Sequence, residues 1–583
     1  TGSRWFGFLT FVLNYHFGGL NTIGYHVVNL TIHILNAILV YWFVVLTFKT
    51  PFSKVSVVSV SVGNQPNQFN LPTFQPFNYL PLFIALLFVS HPVQTQAVTY
   101  IVQRFTSLAT FFYLLSLVMY IKFRLTPSLT LPHRGMGGGA VTTRYTLYAV
   151  SFFSAIFAMK TKEISFTLPV IMVLYEFMFF EGNIKKRMLY LIPMLLTMLI
   201  IPLSMIGIDK PIGDAIGEMR EVPQETKQIS RDAYLLTQFR VIVTYIRLLV
   251  LPINQNLDYD FPLYHSFLNP TVFLSFLFLL SIFGLGIYLF YRSRFTVSAS
   301  ADPLGAGHDS QFTVHYSRLI SFGIFWFFIT LSVESSIIPI RDVIFEHRVY
   351  LPSVGIFIAA VASVFVFADS FKHKWPQAGK AIISVFVFMV IILSGVTYAR
   401  NIIWQDKVSL WEDVVRKSPQ KARGHSNTGL LYYNKGLTDK AIKHYQIALR
   451  INPDYAEAHS NLSIAYKDKG LTDKAIEHYQ IALRINPDYA EAYNNLGAAY
   501  KNKGLTDMAI KYYQIALRIN PDNVDAHINM AYAYNDKGMT DKAIEHYQIA
   551  IRLKPDDADA HYNLGFSYSD KGWLDKAIEH YQI

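Results

Sequence analysis

Residues 1–400 are a succession of long apolar runs, and that constrains the fold more than any other feature of the chain. A hydrocarbon core offers no water to backbone N–H and C=O groups, so a segment that crosses it must be helical or part of a closed barrel. A helix needs about 20 apolar residues to do so. The pattern predicts spans near 24–48, 77–90, 97–121, 145–159, 164–180, 188–206, 271–291, 317–333, 350–368 and 379–399. Composition agrees: 52% of residues are hydrophobic and 16% charged, where a soluble domain carries about 25% charged residues. A purely cytosolic enzyme is therefore excluded in favour of a membrane protein with a soluble part. There is no cysteine, which excludes disulfides, thiolate catalysis and Cys-ligated metal.

The stretch 235–251 is also apolar but carries Arg240 and Arg247, seven residues apart on one helical face. It reads as an interfacial helix lying along the membrane. Charge bias supports that choice. With residue 1 outside and ten spans, the inner loops hold Lys122, Arg124, Arg134, Arg144, Lys185, Lys186, Arg187, Arg292, Arg294, Arg318, Lys372 and Lys374. The outer loops hold the acids Asp209, Asp214, Glu218, Glu221, Glu225, Asp258, Asp260, Glu334 and Asp342. The segment after Arg400 then lies on the outer, extracytoplasmic side, periplasmic or lumenal. Loops at 53–76 and 127–139, rich in Pro, Gly and polar residues, carry no chemical motif. The basic excess, net charge +11, is mainly inner-loop Lys and Arg, so nucleic acid is not an expected partner. Gly135–Gly139 lacks the Lys-Ser/Thr of a phosphate-cradling loop, and no metal-ligand spacing stands out.

The second half is periodic. Pro453, Pro487, Pro521 and Pro555 are 34 residues apart, and Ala441, Tyr445, Tyr432 and Gly436 each recur with the same step. This resembles the tetratricopeptide repeat. Five units start near Ala422, Ala456, Ala490, Val524 and Ala558, the last incomplete. Each unit is a helix pair that buries its apolar face only by stacking on a neighbour, which makes a solenoid with a concave groove. The expected fold is all-α: a polytopic membrane helix bundle of about ten spans, then a repeat solenoid. The divisions are 1–22, a remnant of the first outer loop; 23–400, the membrane domain; 401–421, a linker; and 422–583, the repeats. Both ends read as cut: residue 1 is Thr, and the last residue falls inside a repeat.

Asn427, Asn461, Asn495, Asn529 and Asn563 recur at one position of the first helix of each unit. An amide both donates and accepts, so such a ladder suits binding of an extended peptide backbone; bridging within the stack is the other reading. It resembles the Asn ladder of the O-linked N-acetylglucosamine transferase family. His425, His459, His527 and His561 occupy the aromatic packing position of the same helices, a structural role rather than metal binding.

Polar residues gather on the outer side of the membrane half. His91-Pro92 opens a tight turn, with Gln96, Gln103 and Arg104 following close to one helical face. Lys160, Lys162 and Glu163 share a short turn, and Glu346, His347 and Arg348 precede the span at 350–368. Ionisable groups at a membrane edge are functional candidates. A local ion pair within the Lys160–Glu163 turn is the competing reading. These residues, from His91 through Val98, Arg104, Lys160-Thr161-Lys162-Glu163 and Glu346 through Gly355, resemble the transmembrane-and-tetratricopeptide-repeat family, as do Leu13-Asn14-Tyr15 and Gly24 through Leu30. Its members have the fold of integral-membrane C-type glycosyltransferases.

The resemblance implies transfer of a mannose-like sugar from a polyprenyl-phosphate donor in the membrane to Ser or Thr of a protein acceptor. It implies an acid as general base, which the family places upstream of Thr1. Cations would stabilise the departing phosphate: Arg104, Lys160, Lys162 and Arg348 are the candidates, with Arg240 and Arg247 as supporting residues. His91, Gln96, Glu163, Glu346 and His347 complete the polar set. Gln96 stands where the family would have Glu, and Asp258 and Asp260 are substitute acids or turn residues. No cofactor beyond the donor is implied, and a divalent ion is left open. Two alternatives compete: a non-catalytic membrane-anchored repeat scaffold for protein–protein interaction, and another lipid-linked-sugar enzyme such as a glycan ligase.

Overall fold

The computed structural model describes residues 4–51, 76–126, 139–205, 229–299, 308–335, 340, 342–371, 374–375 and 377–582. Regular structure among them is entirely helical. Contacts divide the chain into two units: Thr1–Leu257 with Phe261–Trp404, and Asp258–Asp260 with Gln405–Ile583. The loops expected at 53–76 and 127–139 fall almost wholly outside the described residues, as do Asp209, Asp214, Glu218, Glu221 and Glu225.

The first unit runs α1 (Trp5–Gly18), α2 (Thr22–Thr47), α3 (Leu80–Ser90), α4 (Thr95–Thr99), α5 (Arg104–Leu125), α6 (Gly139–Met159) and α7 (Leu168–Phe179). It continues with α8 (Ile184–Leu196), α9 (Ile200–Met205), α10 (Arg231–Val250), α11 (Pro270–Ala299), α12 (His308–Leu331), α13 (Pro352–Phe371) and α14 (Ala378–Gln405). Residues 1–22, expected as loop, are thus mostly helix α1. Gly19, at φ 57°, turns it into α2, whose first N–H groups are capped by Asn21.

Among the described residues seven helical segments are long and apolar enough to cross a membrane: Thr22–Thr47, Ile101–Leu125, Ile184–Ser204, Arg231–Val250, Pro270–Ser293, Pro352–Phe371 and Ala378–Gln405. Leu80–Ser90 with Pro92–Thr99, bent by 49°, makes an eighth if the pair is one span. The expected spans at 145–159, 164–180 and 317–333 fall on α6, α7 and α12, of which α7 has 12 residues and follows a 3-10 turn at Glu163–Thr167. Helix α10, read from the sequence as interfacial, is a continuous 20-residue helix that meets the same criterion of length and composition as the others. Its two arginines sit near one face and leave the rest of the surface apolar enough to qualify.

Close packing in this unit relies on small residues, as helix pairs in lipid require. Gly323 of α12 faces Gly355 of α13, and a Cβ on Gly355 would lie 2.4 Å from the Gly323 carbonyl oxygen and 2.8 Å from Trp326 Cδ1. Behind this contact Trp326 is fully buried and donates Nε1–H to Leu351 O at 3.0 Å.

In the second unit the stretch 401–421, read as a linker, contains the end of α14 and a further helix, α15 (Lys407–Lys417). The helix pairs follow: α16 (Ala422–Asn434) with α17 (Thr438–Ile451), α18 (Ala456–Asp468) with α19 (Thr472–Ile485), and α20 (Ala490–Asn502) with α21 (Thr506–Ile519). Then come α22 (Val524–Asp536) with α23 (Thr540–Leu553), and α24 (Ala558–Asp570) with α25 (Leu574–Tyr581). The recurring Gly ends each first helix: Gly436 has φ 74°, and Leu437 N–H reaches back to Tyr432 O at 2.9 Å. Tyr445, Tyr479, Tyr513 and Tyr547 fill the core between the helices of a pair.

The histidines pack as expected, and the structure adds their partners. His459 Nδ1 lies 2.9 Å from His478 Nδ1, while its Nε2–H donates to Pro453 O at 3.0 Å. His425 with His444, His527 with His546 and His561 with His580 repeat the arrangement. Tyr493 and Tyr512 stack in the corresponding place of the third unit. With Nε2 donating to a carbonyl, the first histidine accepts at Nδ1 from the second, so the facing Nδ1 atoms hold one proton between them and not two.

Two predictions follow from this packing. Gly355→Ala overpacks the α12–α13 contact and destabilises the detergent-solubilised protein by roughly 1–3 kcal/mol, whereas Gly395→Ala, whose Cβ would meet nothing within 4 Å, leaves the thermal midpoint unchanged. Burial lowers the pKa of His459; burial and then the charge of His459 lower that of His478. A lowered histidine pKa contributes stability above the unfolded value of about 6.5 that is lost as pH falls below it. The urea midpoint of the segment Gln405–Ile583 should drop between pH 7 and pH 5. A His459→Tyr/His478→Tyr variant, which copies the third unit, should drop less.

Candidate functional site

Helix α2 lays the foundation with three polar residues on one stripe of an apolar helix. Asn29 Nδ2 donates to Val98 O at 3.0 Å. His33 has Nδ1 2.7 Å from the Tyr350 hydroxyl and Nε2 3.2 Å from Val89 O. Asn36 donates to Ser107 O at 2.9 Å and to Tyr350 Oη at 3.1 Å. All three are buried. Buried polar groups hold a structure only when paired, so α2 pins the α3–α4 bend, α5 and the start of α13. The sequence reading passed over His33 and Asn36; their spacing of four and then three after Asn29 was the available signal.

Arg104 is used by this framework. Its Nε donates to Asn29 Oδ1 at 2.7 Å and its Nη1 to Asn14 Oδ1 at 2.6 Å and Thr10 O at 3.2 Å. Its Nη2 donates to Tyr25 O at 3.1 Å, and the guanidinium lies 4.4 Å from the Phe11 ring centroid. The side chain is fully buried. Gln96 and Arg104, expected near one helical face, are separated by an extended residue, Tyr100 (ψ 106°). The break turns them to different partners: Gln96 Oε1 accepts the His347 backbone N–H at 2.8 Å and stands 3.3 Å from His347 Nδ1. Gln103 faces Thr106 instead, its Oε1 3.2 Å from that hydroxyl.

The turn between α6 and α7 supplies Lys162, whose ammonium lies 2.7 Å from Glu334 Oε1 and donates to Thr106 Oγ1 at 2.9 Å. Glu163 pairs with Arg4, Nε to Oε1 at 3.0 Å and Nη2 to Oε2 at 2.9 Å. The local ion pair that the sequence permits within Lys160–Glu163 is therefore replaced by two long-range ones, because the turn aims its charges at different elements. Lys160 is partly exposed and joins neither. Glu334 is an acid that sequence reading left among the outer-loop residues. Its Oε2 is buried with no hydrogen-bond partner.

The Glu346–Val349 turn closes the cluster. Glu346 is fully buried, takes Arg400 Nη2 at 2.7 Å and accepts the Asn256 N–H at 2.9 Å. Burial, then the charges of Lys162 and Arg348, push the His347 imidazole well below its ordinary pKa. Arg348 donates to Val343 O at 3.1 Å and Asp342 O at 2.8 Å. Helix α10 brings its tyrosines rather than its arginines. Tyr234 Oη donates to Glu334 O at 3.1 Å, Gln238 Nε2 to Val343 O at 3.1 Å, and Tyr245 Oη accepts Phe345 N–H at 3.0 Å. Arg240 turns to Ser275 Oγ at 3.3 Å and Arg247 to Ile253 O at 3.2 Å, so neither joins the cluster. His91 ties α3 to α10, its Nε2–H donating to Leu249 O at 3.1 Å. The structure thus gathers Lys162, Glu334, His347, Arg348 and Gln96, and spends Arg104, His91 and Glu346 on scaffolding.

In the second unit all five ladder asparagines are half-exposed. Asn529 donates to Asn494 Oδ1 at 3.0 Å and Asn563 to Asp559 O at 2.8 Å, while Asn427, Asn461 and Asn495 have no side-chain hydrogen bond within the array. Asp258 is tied up by Arg423, Nε and Nη2 both at 2.7 Å, and so serves as an ion-pair partner. Asp260 contributes its backbone N–H to Ser418 Oγ at 2.9 Å. Among the described residues no group of three or more His, Asp or Glu could hold a metal ion.

Lys162 and Glu334 are largely buried, at 11% and 13% side-chain exposure. Removing one partner of such a pair costs about 3–5 kcal/mol, and removing both costs far less. Lys162→Met and Glu334→Met should each lower the thermal midpoint strongly, and the double variant should recover most of the loss; additive losses would show the pair to be uncoupled.

Comparison with known proteins fits both halves. Residues 429–470, 465–504 and 531–572 match the family "TPR repeat", and residues 490–523 and 512–545 match "Tetratricopeptide repeat". A protein O-mannosyl-transferase of Caenorhabditis elegans is 22% identical over 75% of this chain and 52% of its own length. The protein O-mannosyl-transferase Tmtc3 of Drosophila melanogaster is 23% identical over 76% of this chain and 47% of its own. The chain therefore spans about half the length of the curated relatives it matches. Among solved structures, the crystal structure of MamA is 32% identical over 26% of this chain and 90% of that one, with a TM-score of 0.25. Residues 429–572 are a tetratricopeptide-repeat array, and the chain that carries them is similar to proteins named protein O-mannosyl-transferase.

Proposed function

We propose that the chain is a membrane glycosyltransferase that moves a mannose-like sugar from a polyprenyl-phosphate donor to Ser or Thr of a polypeptide on the extracytoplasmic face. The observation that carries this reading is the gathering of Lys162, His347 and Arg348 with a carboxylate, Glu334, at one end of the helix bundle. Loss of a lipid phosphate develops negative charge on the leaving oxygen, and fixed cations in a dry site stabilise it more than water does. Lys162 and Arg348, with Lys160 at the rim, are the groups of the right charge. A neutral His347 keeps the site from accumulating excess positive charge at neutral pH. The acceptor hydroxyl must lose its proton as it attacks the anomeric carbon.

The repeat array would present the acceptor. Three uncommitted amides at a 34-residue step supply donors and acceptors to an extended backbone without reading its sequence. A non-catalytic scaffold is the second reading. Arg348 favours it, since two of its donors are already engaged by the carbonyls of Asp342 and Val343.

The test uses membranes carrying the chain. Labelled mannose should pass from polyprenyl-phosphate mannose to Ser/Thr peptides, and Arg348→Ala should reduce transfer at least a hundredfold while the protein stays folded. Folded protein that binds peptide yet transfers nothing from several donors would leave the scaffold. Asn427→Ala/Asn461→Ala/Asn495→Ala should weaken peptide binding about tenfold or more, and unchanged binding would remove the presenting role.

A further inference from the structure

At the end of the bundle away from Lys162 the charges do not balance. Helix α5 begins at Arg104 and carries Arg124 next to its end, about 30 Å away at 1.5 Å per residue, which is the thickness of a bilayer's hydrocarbon core. Among the described residues one buried carboxylate, Glu176, lies at Arg124. Arg124 takes it through Nε at 3.0 Å and Nη2 at 2.7 Å, Arg187 adds Nε at 3.2 Å, and Tyr120 adds its hydroxyl at 3.0 Å. That carboxylate is saturated.

Arg144 receives nothing from it. Its guanidinium lies 4.8 Å from the Phe123 ring centroid and 6.0 Å from that of Tyr190, a ring it shares with Arg124 at 5.4 Å. Among the described residues its one polar contact is Nη2 to Tyr190 Oη at a long 3.4 Å, and its Nε is buried with no partner. A guanidinium held between aromatic rings with a buried, unused N–H is set up to receive an anion.

Helix α8 adds to the imbalance. Its first turn holds Lys185, Lys186 and Arg187 and no acid, although the positive end of the helix dipole disfavours cations there. Beyond that turn the outward face of α8 is bare: Leu189, Ile192 and Leu196 are 66%, 47% and 57% exposed. A cationic turn standing over an exposed apolar helix face is complementary to a molecule with an anionic head and a hydrocarbon tail.

We propose that Arg144, with Lys185 and Lys186, binds the phosphate headgroup of an anionic membrane lipid whose acyl chain lies along the exposed face of α8. The apolar face selects lipid over free phosphate. The site lies at the far end of α5 from the sugar-transfer cluster and does not rest on the proposed transfer reaction.

The test uses the full chain, delipidated in detergent. Phosphatidylglycerol, phosphatidylcholine or inorganic phosphate is added, thermal midpoints are read, and retained lipid is counted by native mass spectrometry. Phosphatidylglycerol should raise the midpoint and remain bound; phosphatidylcholine and inorganic phosphate should not. Arg144→Gln should weaken retention on the order of tenfold, one charge-assisted contact. Lys185→Gln/Lys186→Gln, at exposed positions that do not endanger folding, should weaken it in the same direction. Lys380→Gln, an exposed lysine on α14, should not. Equal retention of both lipids, an equal effect of inorganic phosphate, or an equal loss in Lys380→Gln would each overturn the proposal.

Discussion

The ion pair between Lys162 and Glu334 joins the turn after α6 to the end of α12, and the polar end of the membrane unit is organised around it. With both side chains largely buried, neither charge is stable without the other. The pair holds Thr106 at the head of α5 through Lys162 and, through the Glu334 backbone, the hydroxyl of Tyr234 on α10. Arg348 and His347 are then placed by hydrogen bonds to backbone and to Gln96, with Glu334 close enough to Arg348 to act on its charge. Among the described residues Glu334 Oε2 in this cluster is buried with no hydrogen-bond partner.

Two kinds of cation emerge, and charge alone does not distinguish them. Arg104 is enclosed by Asn29, Asn14, Thr10 and Tyr25 and acts as a rivet between α1, α2 and α5. Lys162 has a titratable partner and sits among other charged groups. The same contrast appears at the far end of the bundle. There Arg124 and Arg187 share Glu176, whereas Arg144 has only aromatic rings and one long hydrogen bond.

The repeat unit works by a different logic. A left-handed Gly recurs in all five units and a buried Tyr in the first four, so those four share much the same packing. Variation is confined to what packing does not use. Half-exposed asparagines recur on the first helices, three of them uncommitted, while the histidine pairs and the tyrosine pair of the third unit are interchangeable ways of filling one interhelical space.

Local periodicity determined a good deal by itself. The 34-residue step fixes the helix pairs because each repeat must bury the same face, and apolar runs of the length of a bilayer fix the positions of most long helices. The grouping of Lys162, His347 and Arg348 near one end was also legible, since all three flank apolar runs on the same side. Partner choice was not. The pairing of Lys162 with Glu334, and of Glu163 with Arg4, depends on which helix ends meet across 172 and 159 positions of sequence. Nor was the break at Tyr100 legible, which sends Gln96 and Arg104 to different neighbours. On α10 the arginines drew attention because charge is conspicuous in an apolar run, yet Tyr234, Gln238 and Tyr245 face the cluster. The rotation of a helix about its axis is set by what packs against it, and that information exists only in the tertiary structure.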